Sequence, residues 1–102
     1  MFISKKYLKS KPVCKVTFRL PKEALADAKK VFLVGDFNSW DQEKEEMKIL
    51  KDGSAKTMVD LEVGKSYEYK FLIDGKKWEN DWRAEAYVTN GVDANENSVV
   101  SV

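Results

Sequence analysis

The chain has 102 residues, 18 Lys and Arg against 17 Asp and Glu, one Cys, no His and 43% apolar residues, a balance that bounds it to one small globular domain. At this size folding buries roughly 65% of the extended-chain surface, enough for a single core. Without His there is no Ser-His-Asp triad, Cys-His dyad, His-ligated zinc or imidazole base, so no metal site and no cofactor is expected and much enzyme chemistry falls away.

The N-terminal run MFISKKYLKSKP is broken by Lys5 and Lys6 before it reaches the length of a signal peptide's apolar region. No stretch approaches the ~20 apolar residues of a membrane span. The single Cys14 fits a reducing compartment, and its alternation with Val16 and Phe18 places it in the core rather than at a reactive site. A cytoplasmic location without membrane contact is the expectation. Residues 1–12 read as a basic arm or edge strand: up to Leu20 every charge is positive (Lys5, Lys6, Lys9, Lys11, Lys15, Arg19), which leaves an acidic body. No Arg cluster or DNA-reading motif accompanies these lysines, so nucleic acid is not the expected partner.

From residue 13 to 102 the dominant signal is period-two alternation in short segments separated by Gly, Asn, Asp and Pro, the pattern of an all-β sandwich. In CKVTFRL, Cys14, Val16, Phe18 and Leu20 share one face and Lys15, Thr17 and Arg19 the other. Pro21 ends that strand, and KEALADAKK has the composition of a short helical turn. VFLVGDF is apolar on both faces, which predicts a central strand, and it runs into the turn-formers Asn38 and Ser39 before Trp40. DQEKEE reads as a solvated acidic loop. MKIL and KTMVDLEV flank Asp52-Gly53 and predict a hairpin with Val59 and Leu61 inside, closed by Gly64.

SYEYKFLID gives the clearest strand, with Tyr67, Tyr69, Phe71 and Ile73 inward and Ser66, Glu68, Lys70, Leu72 and Asp74 outward. Asp74-Gly75 is a turn dipeptide. The polar stretch KKWENDWRAEAYVTNGVDANEN carries two Trp residues, and SVVSV closes the chain as a strand with Val100 and Val102 alternating. Trp40, Trp78 and Trp82 do not fall on core positions by parity. An exposed Trp is informative because a rigid ring loses few rotamers on binding and offers a flat apolar face to the C–H face of a sugar.

The run VFLVGDFNSW, then YEYKFLIDG followed by a Trp, then a polar stretch ending ENSVVSV, resembles the glycogen-binding module of the AMP-activated protein kinase β subunit. It is also similar to the N-terminal domains of isoamylases and glycogen branching enzymes, over about Val31 to Val102. The resemblance implies an immunoglobulin-like (early-set) β-sandwich of about seven to eight antiparallel strands and binding of α-1,4-glucan chains. It places the first stacking Trp at Trp40, a hydroxyl-donating Lys at Lys70 and the second stacking Trp at Trp78. Counted back from SVVSV, it places sugar-contacting polar residues at Asn95 and Asn97, with Val92 nearest to the family's apolar contact.

One departure bears on the second Trp: DGKKW has one residue more between Gly and Trp than the kinase module. On a strand, a shift of one residue reverses the facing of a side chain. If the Asp74-Gly75 turn absorbs the extra residue, Trp78 stays on the groove; otherwise Trp82 or Lys77 takes its place.

A glycosidase needs two carboxylates flanking a bond in a cleft, ~5–10 Å apart. Asp36, Asp41, Glu79 and Asp81 lie near the aromatic positions, but they read as turn-forming, solvated loop acids in a domain too small for a deep site. The expectation is a stand-alone, non-catalytic α-glucan-binding module, a monomer or weak homodimer with a glycogen-metabolism enzyme as candidate partner. The alternative is a protein-docking module that keeps the fold without the sugar site.

Overall fold

The structure, a computed structural model, describes residues 3–89 and 95–102. In chain order the strands are β1 (Ser4–Tyr7), β2 (Val13–Leu20), β3 (Val31–Gly35), β4 (Lys48–Ile49), β5 (Ala55–Glu62), β6 (Ser66–Ile73), β7 (Lys77–Glu79), β8 (Ala86–Thr89) and β9 (Glu96–Ser101). A helical turn, α1 (Lys22–Leu25), follows β2, and a 3-10 turn, Asp36–Asn38, follows β3. The strands form two antiparallel sheets, one in the order β1-β2-β5-β4 and the other in the order β3-β6-β9-β8 with β7 also paired to β6. The protein is an all-β sandwich.

Alternation builds the core. Cys14, Val16, Phe18 and Leu20 on β2 face Leu33, Tyr69, Phe71 and Val100 from the second sheet, all with no exposed surface. Burying each large side chain contributes roughly 1.5–3 kcal/mol. Phe18 stands edge-on to Tyr69 with ring centroids 5.0 Å apart and tilts against Phe37 at 5.7 Å. Cys14 is a free thiol inside this core. The hairpin over β4 and β5 turns at Asp52-Gly53 with Leu61 buried and Val59 packed on the core.

Two features differ from the sequence pattern. β3 lies at one side of its sheet, and the centre is β6, which pairs with β3, β7 and β9. β3 is apolar on both faces because both are covered, Val31 and Leu33 in the core and Val34 on the other side with no exposed surface, while at its free edge the Leu33 amide donates to the Glu45 carbonyl (2.9 Å) and the Met47 amide to the Val31 carbonyl (2.8 Å). The acidic loop therefore ends as a cover for an edge that would otherwise be open to pairing. The polar stretch after Asp74 holds two short strands, β7 and β8, paired through backbone to β6 and β9. Every residue of β8 is exposed, so no apolar alternation marks it.

At the end of β3, Gly35 passes so close to β6 that an added Cβ would lie 2.5 Å from the Glu68 carbonyl oxygen and 2.8 Å from the Tyr69 Cβ. Gly35→Ala is expected to destabilise the domain by about 1–3 kcal/mol through overpacking. A urea titration checks this, as a lower midpoint with an unchanged slope.

The two sheets are also clasped at one end. Lys5 on β1 donates to the Ser101 carbonyl (2.7 Å) and pairs with Glu85, so one cation of the N-terminal segment is committed inside the domain. Among the described residues no helix is long and apolar enough to cross a membrane, and no group of three or more His, Cys, Asp or Glu is placed to hold a metal.

Candidate functional site

The turn after β3 positions Trp40. The buried Asn38 closes it from within: its Oδ1 accepts from the Gly35 amide (3.1 Å) and its Nδ2 donates to the Leu33 carbonyl (2.9 Å). Ser39 and Trp40 then both adopt the left-handed conformation, φ 57° and 58°, and the Trp40 amide returns to the Gly35 carbonyl at 2.9 Å. Non-glycine residues rarely sit there, and such strain persists where the surroundings fix it. The half-buried indole is fixed in turn, because its Nε1 donates to Asp36 Oδ1 at 2.9 Å. The other Asp36 oxygen accepts the Glu68 amide at 2.8 Å, which ties the Trp40 turn to β6.

On β6, alternation puts Tyr69, Phe71 and Ile73 in the core and Glu68, Lys70 and Leu72 on the outer face of the second sheet. Register extends that face sideways, because directly paired residues point the same way. Val34 is paired with Lys70 and Phe32 with Leu72 on one side, and Trp78 with Leu72 on the other. The turn joining β6 to β7 runs through Asp74 (φ 52°), Gly75 (φ 69°) and Lys76 between the paired residues Ile73 and Lys77. Trp78 thus lies on the face of Lys70 and is 41% exposed. The Asp74 carboxylate also accepts the Lys30 and Lys29 amides, and these bonds hold its pKa below the usual value.

Lys70 makes no ion pair and no side-chain hydrogen bond among the described residues. Asn97 belongs to the same face, paired with Val88, and its Nδ2 donates to Glu68 Oε1 at 3.0 Å. Asn97 is nearly buried, so part of its hydrogen-bonding capacity is used within the sheet. Asn95 is exposed just before β9. Lys77 is on the opposite parity to Trp78 and lies 3.7 Å from Glu79. Trp82 is exposed in the turn beyond β7, where its Nε1 donates to Glu79 Oε2 at 3.2 Å, and no strand register carries it onto the face of Lys70. Val92 lies outside the described residues.

The expectation of solvated acids fails for one of the four. Asp81 has no exposed surface: Oδ2 accepts the Tyr69 hydroxyl (2.8 Å), Oδ1 accepts the Arg83 amide (2.9 Å), and the Asp81 amide donates to Ser98 Oγ (2.9 Å). Burial raises its pKa against the opposing effect of the Arg83 and Tyr69 bonds. Burial and the adjacent Asp81 charge push the Tyr69 phenol far upward, so it stays protonated. Asp81 is a fastener between β6, β9 and the loop after β7. Asp36 is likewise structural: it accepts from Trp40 and from Glu68. Its partnership with Trp40 was readable as a spacing of four residues, whereas the Glu68 bond depends on tertiary pairing.

Beside the Phe32–Leu72–Trp78 row, a groove of about 740 Å³ lined by Phe32, Leu72, Lys30, Gln42, Glu43 and Asp74 continues the face past β3. The face is partly apolar, with Lys70 and the Trp78 indole standing on it beside the buried Val34 and Leu72. It suits a flexible polar ligand with apolar ring faces rather than a reaction that must exclude water. A family model described as the glycogen recognition site of AMP-activated protein kinase matches residues 14–102. No curated protein matches the chain.

Proposed function

Because the chain belongs to the family of the glycogen recognition site of AMP-activated protein kinase, a carbohydrate-binding family, we propose that it is a stand-alone, non-catalytic module that binds α-1,4-glucan on the outer face of its second sheet. Trp40 and Trp78 stack on glucosyl rings, Lys70 donates to hydroxyls, and Asn97 with Asn95 completes the polar contacts at the β9 side. The observation that most supports this reading is the pairing of Trp78 with Leu72, which sets its ring on the side of the sheet that carries Lys70. Trp82 and Lys77 are scaffold in this reading.

Stacking and a few hydroxyl bonds on an open face give on the order of −4 to −6 kcal/mol for a short oligosaccharide, a Kd between millimolar and tens of micromolar. The module works in the cytosol as a monomer or weak homodimer, with a glycogen-metabolism enzyme as its protein partner. Each of the four acids near the indoles accepts a hydrogen bond from within the domain, Asp36 from Trp40 and Glu68, Asp41 from the Glu43 amide, Glu79 from Trp82 and Asp81 from Tyr69, which supports a structural role for them in this reading.

A proton–nitrogen NMR titration with maltoheptaose tests it. The Trp40 and Trp78 indole signals and the Lys70 and Asn97 amides are expected to move together while the Trp82 indole stays. If nothing moves at ~10 mM sugar, where a ~1 mM site is about nine-tenths filled, the sugar reading is overturned and a docking module is left. Lys70→Ala is expected to weaken maltoheptaose binding about three- to tenfold, roughly one charge-assisted bond in a wet site, with an unchanged thermal midpoint.

A further inference from the structure

The four-stranded sheet presents a second outer surface, facing away from the first, and register fixes what stands on it. Arg19 is paired with Lys56, and Lys56 with Lys48. Three cations therefore stand side by side across β2, β5 and β4, over ~10 Å of sheet. Directly opposed side chains have Cβ atoms ~4.5–5.5 Å apart, and like charges so placed destabilise a sheet. Among the described residues none of the three makes an ion pair. By contrast, Lys15 on the same face lies 3.8 Å from Asp60, its register partner.

This concentration is not compositional, because the chain carries 18 cations and 17 acids. The row next to the three cations is Thr17 paired with Met58, and Met58 is 54% exposed. An exposed, adaptable thioether beside Arg and Lys is the mixture found at protein–protein contacts, where Met and Arg are enriched.

We propose that the outer face of the four-stranded sheet, centred on Arg19, Lys56 and Lys48 with Met58 beside them, docks an acidic segment of a partner protein. Carboxylates from that segment lie between the three cations and relieve their mutual repulsion, and Met58 packs on its apolar atoms. The surface belongs to the other sheet, so the inference stands independently of the glucan reading.

The test uses the full chain and fluorescein-labelled octaglutamate, followed by anisotropy at 50 mM salt. Binding is expected, with at least a tenfold loss in Lys56→Glu, about a threefold loss in Lys48→Ala, and weakening at 200 mM salt. The charge-matched Lys9→Ala/Lys11→Ala variant is expected to bind as the parent does. Absence of binding at ~1 mM peptide, or an equal loss in the Lys9/Lys11 variant, overturns the proposal, the second because net charge alone would then explain the affinity. Octathymidylate binding as tightly as octaglutamate overturns it in favour of a nucleic acid. A separate readout needs no ligand: Lys56→Glu is expected to raise the thermal midpoint at low salt, by an amount that shrinks at high salt. A lower midpoint would show that the row is not repulsive and would remove the premise.

Discussion

Trp78→Ala is expected to lower glycogen affinity at least tenfold, about 1.4 kcal/mol, enough to abolish co-sedimentation at a site this weak, while leaving the fold intact. The ring is 41% exposed and pairs with Leu72 only across a two-strand edge, so its removal opens no core cavity. Trp40→Ala is expected to abolish co-sedimentation as well, also without unfolding, though its half-buried indole and the bond to Asp36 predict a modest fall in thermal midpoint. The pair of variants is informative together. If both rings hold the same glucan chain, removing either one loses most of the binding, so their double variant should be little worse than each single one. Retained sedimentation in both single variants would sink the assignment of this face.

The second large effect concerns stability. Asp81→Ala leaves the buried Tyr69 hydroxyl without its acceptor and removes the carboxylate's bond from the Arg83 amide. An orphaned buried donor costs about 1–3 kcal/mol, so a loss of about that size is expected by denaturant titration. Asp81→Asn retains an acceptor and removes a buried charge, and should lose less. The pH dependence follows from the upward displacement of the Asp81 pKa by burial. The unfolded chain releases this proton first, near the ordinary value of 3.8, so the stability of the parent relative to Asp81→Asn should decline as pH rises from there through the folded-state pKa. A constant difference between the two proteins from pH 3.5 to 7 would contradict a raised value.

The parts of the fold that were legible in the chain are those where burial imposes a period. VCKVTFRL and SYEYKFLI alternate because one face of each packs on the core, and Lys70 was placed outside by that rule alone. What was not legible depends on pairing. β8 contributes only backbone to its ladder, so its residues carry no pattern. β3 looked central because apolar residues occupy both of its faces, yet the loop residues Glu45 and Met47 cover its edge. Asp81 looked like a solvated acid because it sits among polar neighbours, and only the Tyr69 hydroxyl arriving from β6 makes it a buried acceptor.

The site divides in the same way. The motif positions of Trp40, Lys70 and Trp78 could be read off, but whether Trp78 faces Lys70 hinged on how one extra residue is accommodated. A turn with two consecutive positive φ values answers it locally, and nothing but chain geometry could. The row of Arg19, Lys56 and Lys48 shows the converse. Each outward position is readable from parity, yet three separate lysine and arginine positions become one surface only through the register of β2, β5 and β4.

The bond from Lys5 to the Ser101 carbonyl joins the first strand of one sheet to the last strand of the other through a single side chain. Fraying of β1 from β2 is therefore not a local event, because the peeling strand must also let go of the opposite sheet.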